Sequence, residues 1–312
     1  MAYLGLNFRL PLGRHLDWVR PLMLVLACLG TALPALAGEV LDRIKSSGTL
    51  NIGYRAAGAP FSYKAPDGSA MGYSIDLCQH LAQAIAKQVG VAQLKVNYVP
   101  VTGSDRIVKI VNGSLDLECA NTTNSKSRRE QVAFGLTHYY AAAKLLVRQG
   151  SGVRSLDDLN GKTIALGKGT TSLQIVEARN RTGGKFNLLL VESSKDGANA
   201  VEQGRADATM NDDILLLAFA REAQKAKLEV VGPPMSIEPL AIMHSKNDPQ
   251  LATLVQNEMG RLYREGVARQ LYEKWFMGAL PHLGYSLQAP MTPLLNDNFR
   301  RPSGYVTDWT IL

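Results

Sequence analysis

The feature that most constrains this chain is an alternation of helical and strand patterns that restarts after Gly150. In the first stretch, helical apolar spacing over 74–89 precedes a strand pattern at 95–99. The second stretch repeats this order, with strand patterns at 163–166 and 206–210 and helical segments between them. Such alternation is typical of α/β domains built around largely parallel sheets. The sequence therefore predicts two α/β units.

Length and composition agree with two globular units and argue against several other classes. The 312 residues are enough for two domains that each bury a core. Hydrophobic residues at 46% and charged residues at 20% argue against disorder along the whole chain and against a multi-span membrane protein. The basic residues behind the formal charge of +7 are scattered. We therefore expect no nucleic-acid partner and a preference for small anions at most.

Residues 1–37 have the pattern of an export signal, with an apolar run over 22–36 and small residues before a cleavage point after Ala37. Three arginines precede the run: Arg9, Arg14 and Arg20. A membrane anchor fits less well, because a run of 15 residues interrupted by Pro34 is short of the ~20 apolar residues needed to span a bilayer. A lipoprotein site at Cys28 is the other alternative, and its flanking sequence matches poorly. The sequence thus predicts an exported protein with a cleaved signal peptide.

No motif for a metal, a nucleotide or a catalytic nucleophile stands out. The histidines lack zinc-ligand spacing with cysteines or carboxylates, and no Gly-x-Ser-x-Gly elbow is present. Glycine-rich segments lack the full phosphate-loop pattern. Cys78 falls in a predicted helix and Cys119 at the end of a predicted strand, so the sequence leaves open whether they form a disulfide. We therefore expect no catalytic residue, no metal and no cofactor.

Charged and polar residues follow several predicted strands. Arg55, Arg106 and Arg128 each follow a strand or a polar loop, and guanidinium groups bind carboxylates through paired hydrogen bonds. Thr170 opens a helix after a glycine, which indicates either an anion-binding turn or a simple cap. Asp212 directly follows a strand, where α/β folds place ligand contacts, although helix capping explains it equally well.

After the second unit the pattern becomes helical and then irregular. Apolar spacing predicts helices over 249–263 and 267–276. The last thirty or so residues combine Pro and Gly in a loose pattern, and we expect a tail packed on the surface.

The order of short motifs along the chain is informative in itself. The first set is 48–55 (GTLNIGYR), 60–63 (PFSY), 72–76 (GYSID), 106–107 (RI), 112–116 (NGSLD) and 122–128 (TTNSKSR). The second set is 156–162 (LDDLNGK), 169–171 (GTT), 204–206 (GRA) and 212–213 (DD). Together they resemble the extracytoplasmic solute-binding proteins of polar amino-acid uptake systems, family 3, and the second set is similar to the glutamate/aspartate-binding branch. The resemblance covers nearly all of 39–280.

This resemblance implies the type II periplasmic binding protein fold, with two α/β lobes, two hinge strands and a ligand cleft between the lobes. It assigns 38–143 and 244–312 to lobe 1 and 144–243 to lobe 2. It also implies that the protein captures an amino acid and docks on an inner-membrane ABC permease. We expect a monomer that acts as a stand-alone binding protein.

The resemblance also implies roles for residues that would hold the amino-acid part of the ligand. Arg128 would bind the α-carboxylate with help from Thr123 and the Thr170 turn. Asp212 would bind the α-ammonium. Each ligand charge would then meet an opposite charge, which offsets the cost of removing it from water.

Arg55 and Arg106 would hold the side-chain carboxylate of glutamate or aspartate. Asn121 is a further predicted ligand contact. Asn121 and Gly103 stand where the glutamate/aspartate branch has serines. The resemblance therefore leaves open whether the ligand is an acidic amino acid or one of the amides glutamine and asparagine. A periplasmic cyclohexadienyl dehydratase on the same scaffold is the alternative from a different functional class. Such an enzyme would not need an ammonium-binding Asp212 beside three arginines.

Overall fold

A computed structural model describes residues 39–306, so the predicted signal peptide at 1–37 lies outside the described residues. Within that range no helix is both long and apolar enough to cross a membrane. The helices are α1 (Glu39–Ser47), α2 (Tyr73–Val89), α3 (Arg106–Val111), α4 (Lys126–Arg129), α5 (Thr171–Arg181), α6 (Ser194–Glu202), α7 (Asp213–Glu222), α8 (Pro249–Arg264), α9 (Val267–Tyr272) and α10 (Pro293–Arg300). The strands are β1 (Thr49–Tyr54), β2 (Ala57–Gly58), β3 (Ser62–Lys64), β4 (Ala70–Met71), β5 (Lys95–Pro100), β6 (Leu117–Glu118), β7 (Ala133–Phe134), β8 (Tyr139–Ala141), β9 (Ala143–Arg148), β10 (Thr163–Gly167), β11 (Asn187–Val191), β12 (Ala208–Asp212), β13 (Leu228–Val231), β14 (Glu238–Leu240) and β15 (Met243–His244).

The first five-stranded sheet has the order β5-β1-β6-β15-β7. β1 runs parallel to β5 and β6, and β15 joins from far along the chain as an antiparallel partner of β6 and β7. Helix α2 buries Leu77, Leu81 and Ile85 and is followed by Gly90, whose φ of 73° is one that glycine adopts readily. The predicted strand at 95–99 and helix at 74–89 are confirmed to within one residue.

The second five-stranded sheet has the order β11-β10-β12-β9-β13. β10 is parallel to β11 and β12, whereas β9 is antiparallel to β12 and β13. The predicted strand at 206–210 is wrong by two residues, since β12 covers Ala208–Asp212. Its register with β9, Ala208 opposite Val147 and Asp212 opposite Ala143, extends the strand to Asp212.

Two short strands carry the chain between the sheets, and we call β8 and β14 the crossing strands. They pair antiparallel, with Glu238 opposite Ala141 and Leu240 opposite Tyr139. β8 leads into β9 of the second sheet, and β14 leads back to β15 of the first. β9 begins at Ala143 and β15 at Met243.

A disulfide between Cys78 and Cys119 answers the question that the sequence leaves open. The two Cα atoms lie 6.4 Å apart, and both residues are fully buried. The bond ties α2 to the segment that directly follows β6, two residues before Asn121. A covalent cross-link therefore supports one side of the site described below.

The C-terminal tail packs on the body of the protein, as expected, but it contains a helix that the sequence pattern did not predict. Residues 293–300 form α10, with Pro293 in the first turn and the Thr292 hydroxyl accepting from the Leu295 amide at 3.2 Å. Leu295 and Phe299 are buried, and Phe299 stacks on Tyr263 of α8. Apolar burial holds this helix against α8 and β8.

Candidate functional site

A small cavity lies between loops of the two sheets. The structure brings all seven residues singled out from the sequence to its lining: Arg55, Arg106, Asn121, Thr123, Arg128, Thr170 and Asp212. Further lining residues that the sequence reasoning missed are Thr122, Thr171, Ser172, Ser194 and Asn211. Hydroxyl, amide and charged groups thus dominate the surface of the cavity.

Two arginines, one from α3 and one from α4, converge on a carbonyl oxygen in the loop that follows β10. Arg106 donates from Nη2 to the Gly169 oxygen at 3.3 Å, and Arg128 donates from Nη2 to the same oxygen at 3.2 Å. Their Nη1 groups donate to the carbonyls of Gly103 and Thr123, respectively. Within residues 39–306 neither guanidinium forms an ion pair with a carboxylate.

The guanidinium of Arg55 has no hydrogen-bond or ion-pair partner among the described residues. Nε of Arg106 is buried and also lacks a partner. Burial lowers the pKa of Arg106, and the nearby cations of Arg128 and Arg55 lower it further. Buried donors of this kind cost free energy until an acceptor arrives, so this end of the cavity is suited to an anion.

Asp212, the last residue of β12, lines the cavity from the side of the second sheet. Its Oδ2 accepts from Asn121 Nδ2 at 2.8 Å. Burial raises the pKa of Asp212, and the neighbouring carboxylate of Glu238 raises it further. Helix capping does not explain this side chain, because Asp212 makes no cap hydrogen bond, while Asp213 accepts from the Ile214 amide. Asp212 is available to a cation.

Thr170 is the N-cap of α5. Its hydroxyl donates to the Gly167 carbonyl at 2.7 Å and accepts from the Leu173 amide at 3.2 Å. The capping interpretation therefore accounts for the hydroxyl group. The helix N-terminus itself still faces the cavity as a region of positive potential.

Two buried glutamates near the arginines were not recognised from the sequence. Glu118, which is fully buried, accepts from Thr122 Oγ1 at 3.0 Å, and its other oxygen lacks a partner. Burial raises the pKa of Glu118, whereas Arg106 and the other two arginines lower it. Glu238, 2% exposed, lies on crossing strand β14. The signal that could have revealed Glu238 is its position as the one charge in the apolar run 235–243 (MSIEPLAIM).

The loops on the two sides touch through glycines. A Cβ added at Gly103 would lie 2.2 Å from the carbonyl oxygen of Lys168. A Cβ added at Gly169, where φ is +69°, would lie 2.4 Å from the carbonyl oxygen of Gly103. Only residues without a side chain allow this approach. The absence of a serine at position 103 therefore has a steric reason.

Comparison with known proteins identifies a group of similar sequences and structures. Residues 50–278 match the model of a family described as bacterial extracellular solute-binding proteins, family 3. An L-glutamate/L-aspartate-binding protein of Pseudomonas aeruginosa is 33% identical over 294 residues, covering 91% of this chain and 97% of that protein. A glutamate/aspartate import solute-binding protein of Escherichia coli is 31% identical, covering 89% and 92%. The crystal structure of an ancestral amino acid-binding protein, a precursor of cyclohexadienyl dehydratase, has 30% identity and a TM-score of 0.65, covering 75% and 98%.

Proposed function

The chain belongs to the bacterial extracellular solute-binding proteins of family 3, and on that premise we propose that it binds glutamate or aspartate in the periplasm and delivers it to an ABC permease. The two sheets and their crossing strands form the two-lobed type II fold of this family. Two relatives that cover about nine-tenths of the chain are named for glutamate and aspartate.

The observation that favours an acidic ligand is that guanidinium N–H groups at one end of the cavity lack hydrogen-bond partners. Arg55 lacks a partner within residues 39–306, and Nε of Arg106 is buried without one. A side-chain carboxylate accepts hydrogen bonds from both groups and neutralises their charge. The amide of glutamine offers one acceptor oxygen and two N–H donors, which face the arginines unfavourably.

The α-amino-acid group fits the rest of the lining. Arg128 lies beside the N-terminus of α5, so an α-carboxylate placed there meets a guanidinium and a helix dipole. Asp212 supplies the opposite charge for the α-ammonium. This assignment places two ligand anions near cations and one ligand cation near an anion.

Ligand capture in this proposal includes closure of two lobes, 38–143 with 244–312 as one and 144–243 as the other. Arg55, Arg106 and Arg128 lie on the first side, whereas Thr170 and Asp212 lie on the second. A ligand that touches both sides favours the closed arrangement by its differential affinity. Small-angle scattering of a monomer should show a smaller radius of gyration with glutamate present, and unchanged profiles would contradict closure.

The test of the proposed ligand is calorimetry of ligand-stripped protein, residues 38–312, against the common amino acids. We expect glutamate and aspartate to bind more tightly than glutamine, asparagine and arginine. Arg128→Ala should weaken every amino acid by about 30-fold to several thousand-fold, since losing one partner of a buried charge pair costs about 2–5 kcal/mol. Arg129→Ala is the matched control, because Arg129 lies on the same short helix and does not line the cavity.

Binding without catalysis is part of the proposal. An enzyme of the dehydratase type would release product from arogenate or prephenate, so the same protein is incubated with both acids. No product is expected, and turnover of either acid would replace the binding function with an enzymatic one.

A further inference from the structure

A loop near the C-terminus, residues 279–289, is anchored on the first lobe (38–143 with 244–312). Tyr63 of β3 donates from its hydroxyl to the Pro281 oxygen at 2.9 Å. Tyr272 of α9 donates from its hydroxyl to the Ala289 oxygen at 3.0 Å. Two hydroxyl groups of the first lobe thus hold this loop at separate points.

The side chain of Tyr285 extends from the 279–289 loop to the second lobe (144–243). Its hydroxyl donates at 2.7 Å to Oε1 of Glu222, the last residue of α7. The other oxygen, Oε2, accepts at 2.5 Å from Nζ of Lys195 on α6. The same ammonium lies 5.3 Å from the ring centre of Phe219 on α7. Two helices of the second lobe therefore hold the carboxylate that Tyr285 binds.

This contact is partly shielded from water. The side chains of Glu222 and Lys195 are 24% and 26% exposed. Burial and the hydrogen bond to Glu222 raise the pKa of Tyr285, so its hydroxyl keeps its proton and remains a donor. Hydrogen bonds to charged groups are the stronger ones in proteins, although partial exposure weakens this one. The contact therefore stabilises an arrangement of the lobes in which Tyr285 reaches Glu222.

The contact between Tyr285 and Glu222 lies close to the cavity without being part of it. Ser194, which directly precedes Lys195, lines the cavity, whereas Lys195, Glu222 and Tyr285 do not. Helix α6, which carries Lys195, also packs on β2 of the first lobe. The contact is present together with the hydrogen bonds that join the cavity loops at the Gly169 oxygen. It thus accompanies the closed arrangement of the cavity.

We infer that Tyr285 and Glu222 are positioning residues that hold the two lobes in the closed arrangement and slow the release of a bound amino acid. The inference rests on the proposed function, since it requires a ligand that is captured by closure. A ligand that enters the open form and leaves after reopening dissociates faster when the closed form is less stable, and its association rate is unchanged. Because the two residues lie outside the cavity, their effect is the same for glutamate and aspartate.

The experiment measures release and affinity for Tyr285→Phe, Glu222→Ala and the double variant. Release is followed by chasing radiolabelled glutamate or aspartate from the protein with excess unlabelled ligand. Calorimetry gives the dissociation constant, and the association rate follows from the ratio. Tyr285→Phe should speed release about fivefold to 20-fold, as for one partly exposed hydrogen bond to a charged group. The association rate should stay within twofold of wild type.

The matched control is Tyr272→Phe. It removes a tyrosine hydroxyl that donates to the same loop, but both partners belong to the first lobe. Release from Tyr272→Phe should stay within twofold of wild type. The stoichiometry of calorimetric binding reports any loss of folded protein separately from a change in release rate. If Glu222→Ala does not fold, Tyr285→Phe against Tyr272→Phe decides the matter alone.

The double variant tests whether the two residues act through one contact. If they do, its release is at most threefold faster than that of the faster single variant. Three results would overturn the inference: effects of the single variants that multiply, a loss of affinity that arises from slower association, or equal acceleration by Tyr272→Phe. An effect that differs more than threefold between glutamate and aspartate would also overturn it, because it would place Tyr285 at the ligand.

The design separates this inference from the proposed function. If the wild type prefers another amino acid, the same release measurements use that ligand. A wild-type protein that binds no amino acid contradicts the proposed function, and the inference falls with it. A wild-type protein that binds glutamate, with release from Tyr285→Phe within twofold of it, contradicts the inference alone.

Discussion

Replacement of Gly103 or Gly169 by alanine should prevent the two sides of the cavity from closing fully. At Gly103, an added Cβ would sit 2.2 Å from the Lys168 carbonyl oxygen, whereas ordinary contacts of a Cβ lie at 3.4–4 Å. The facing loops would have to separate by about 1 Å to accept alanine. Backbone on both sides of the contact leaves no flexible side chain to move away.

The size of the expected effect on affinity follows from the hydrogen bonds that join the same two loops. Arg106 and Arg128 donate to the Gly169 oxygen at 3.3 and 3.2 Å, so a further 1 Å puts both beyond hydrogen-bond reach. Hydrogen bonds to charged groups contribute about 1.5–3 kcal/mol each, and two that share one acceptor contribute less than their sum. We expect Gly103→Ala to destabilise the closed form by about 2–3 kcal/mol and to weaken glutamate about 30-fold to 150-fold.

The assay is calorimetric titration of glutamate into wild type, Gly103→Ala, Gly169→Ala and Gly161→Ala. Gly161 has φ +79° and nothing within 4 Å of its added Cβ, so it matches the positive φ of Gly169 without the contact. Gly161→Ala should cost about 1–2 kcal/mol of stability and leave affinity unchanged. Glutamate binding by Gly103→Ala within threefold of wild type would refute the steric reasoning.

Two further predictions concern the disulfide and proton release. The Cys78–Cys119 bond closes a loop of 41 residues and so restricts the unfolded chain. In urea unfolding, the free energy of unfolding of the oxidised protein should exceed that of the reduced protein by about 4 kcal/mol. A difference below about 1 kcal/mol would contradict this prediction. Burial and the carboxylate of Glu238 raise the pKa of Asp212, so Asp212 is protonated in part of the free protein near neutral pH. The ammonium group of a bound amino acid favours the ionised form of Asp212. Glutamate binding at pH 7 should therefore release protons, and glutamate affinity should fall as the pH falls. Calorimetry in buffers of different ionisation enthalpy measures the proton release, and Asp212→Asn should abolish it. Identical binding heats in all buffers would contradict this prediction.

Much of the fold was predictable because local signals agree with it. The apolar spacing of α2 and the glycine after Val89 locate that helix to within one residue. The missed α10 has an equally clear start signal, since Thr292 caps it and Pro293 occupies its first turn. Its short length and the surrounding prolines and glycines obscured the pattern.

The rest depended on distances that sequence spacing does not contain. Cys78 and Cys119 meet only because α2 packs against the end of β6. Glu238 lies 115 positions from Thr123, and only the pairing of β14 with β8 brings it to the cavity. Gly103 reads as an ordinary loop glycine until the Lys168 carbonyl is found against it. Long-range contacts of this kind set the fine structure of the site.

The most direct test of the central claim is the titration of glutamate and glutamine into wild type and Arg55→Ala. Arg55 lines the cavity, and its guanidinium has no partner among the described residues, so it is free to bind the side-chain carboxylate. Wild type should prefer glutamate by about 2 kcal/mol or more, roughly 30-fold. Arg55→Ala should narrow this gap mainly by weakening glutamate. A wild-type preference for glutamine, or equal weakening of both ligands, would contradict recognition of an acidic side chain.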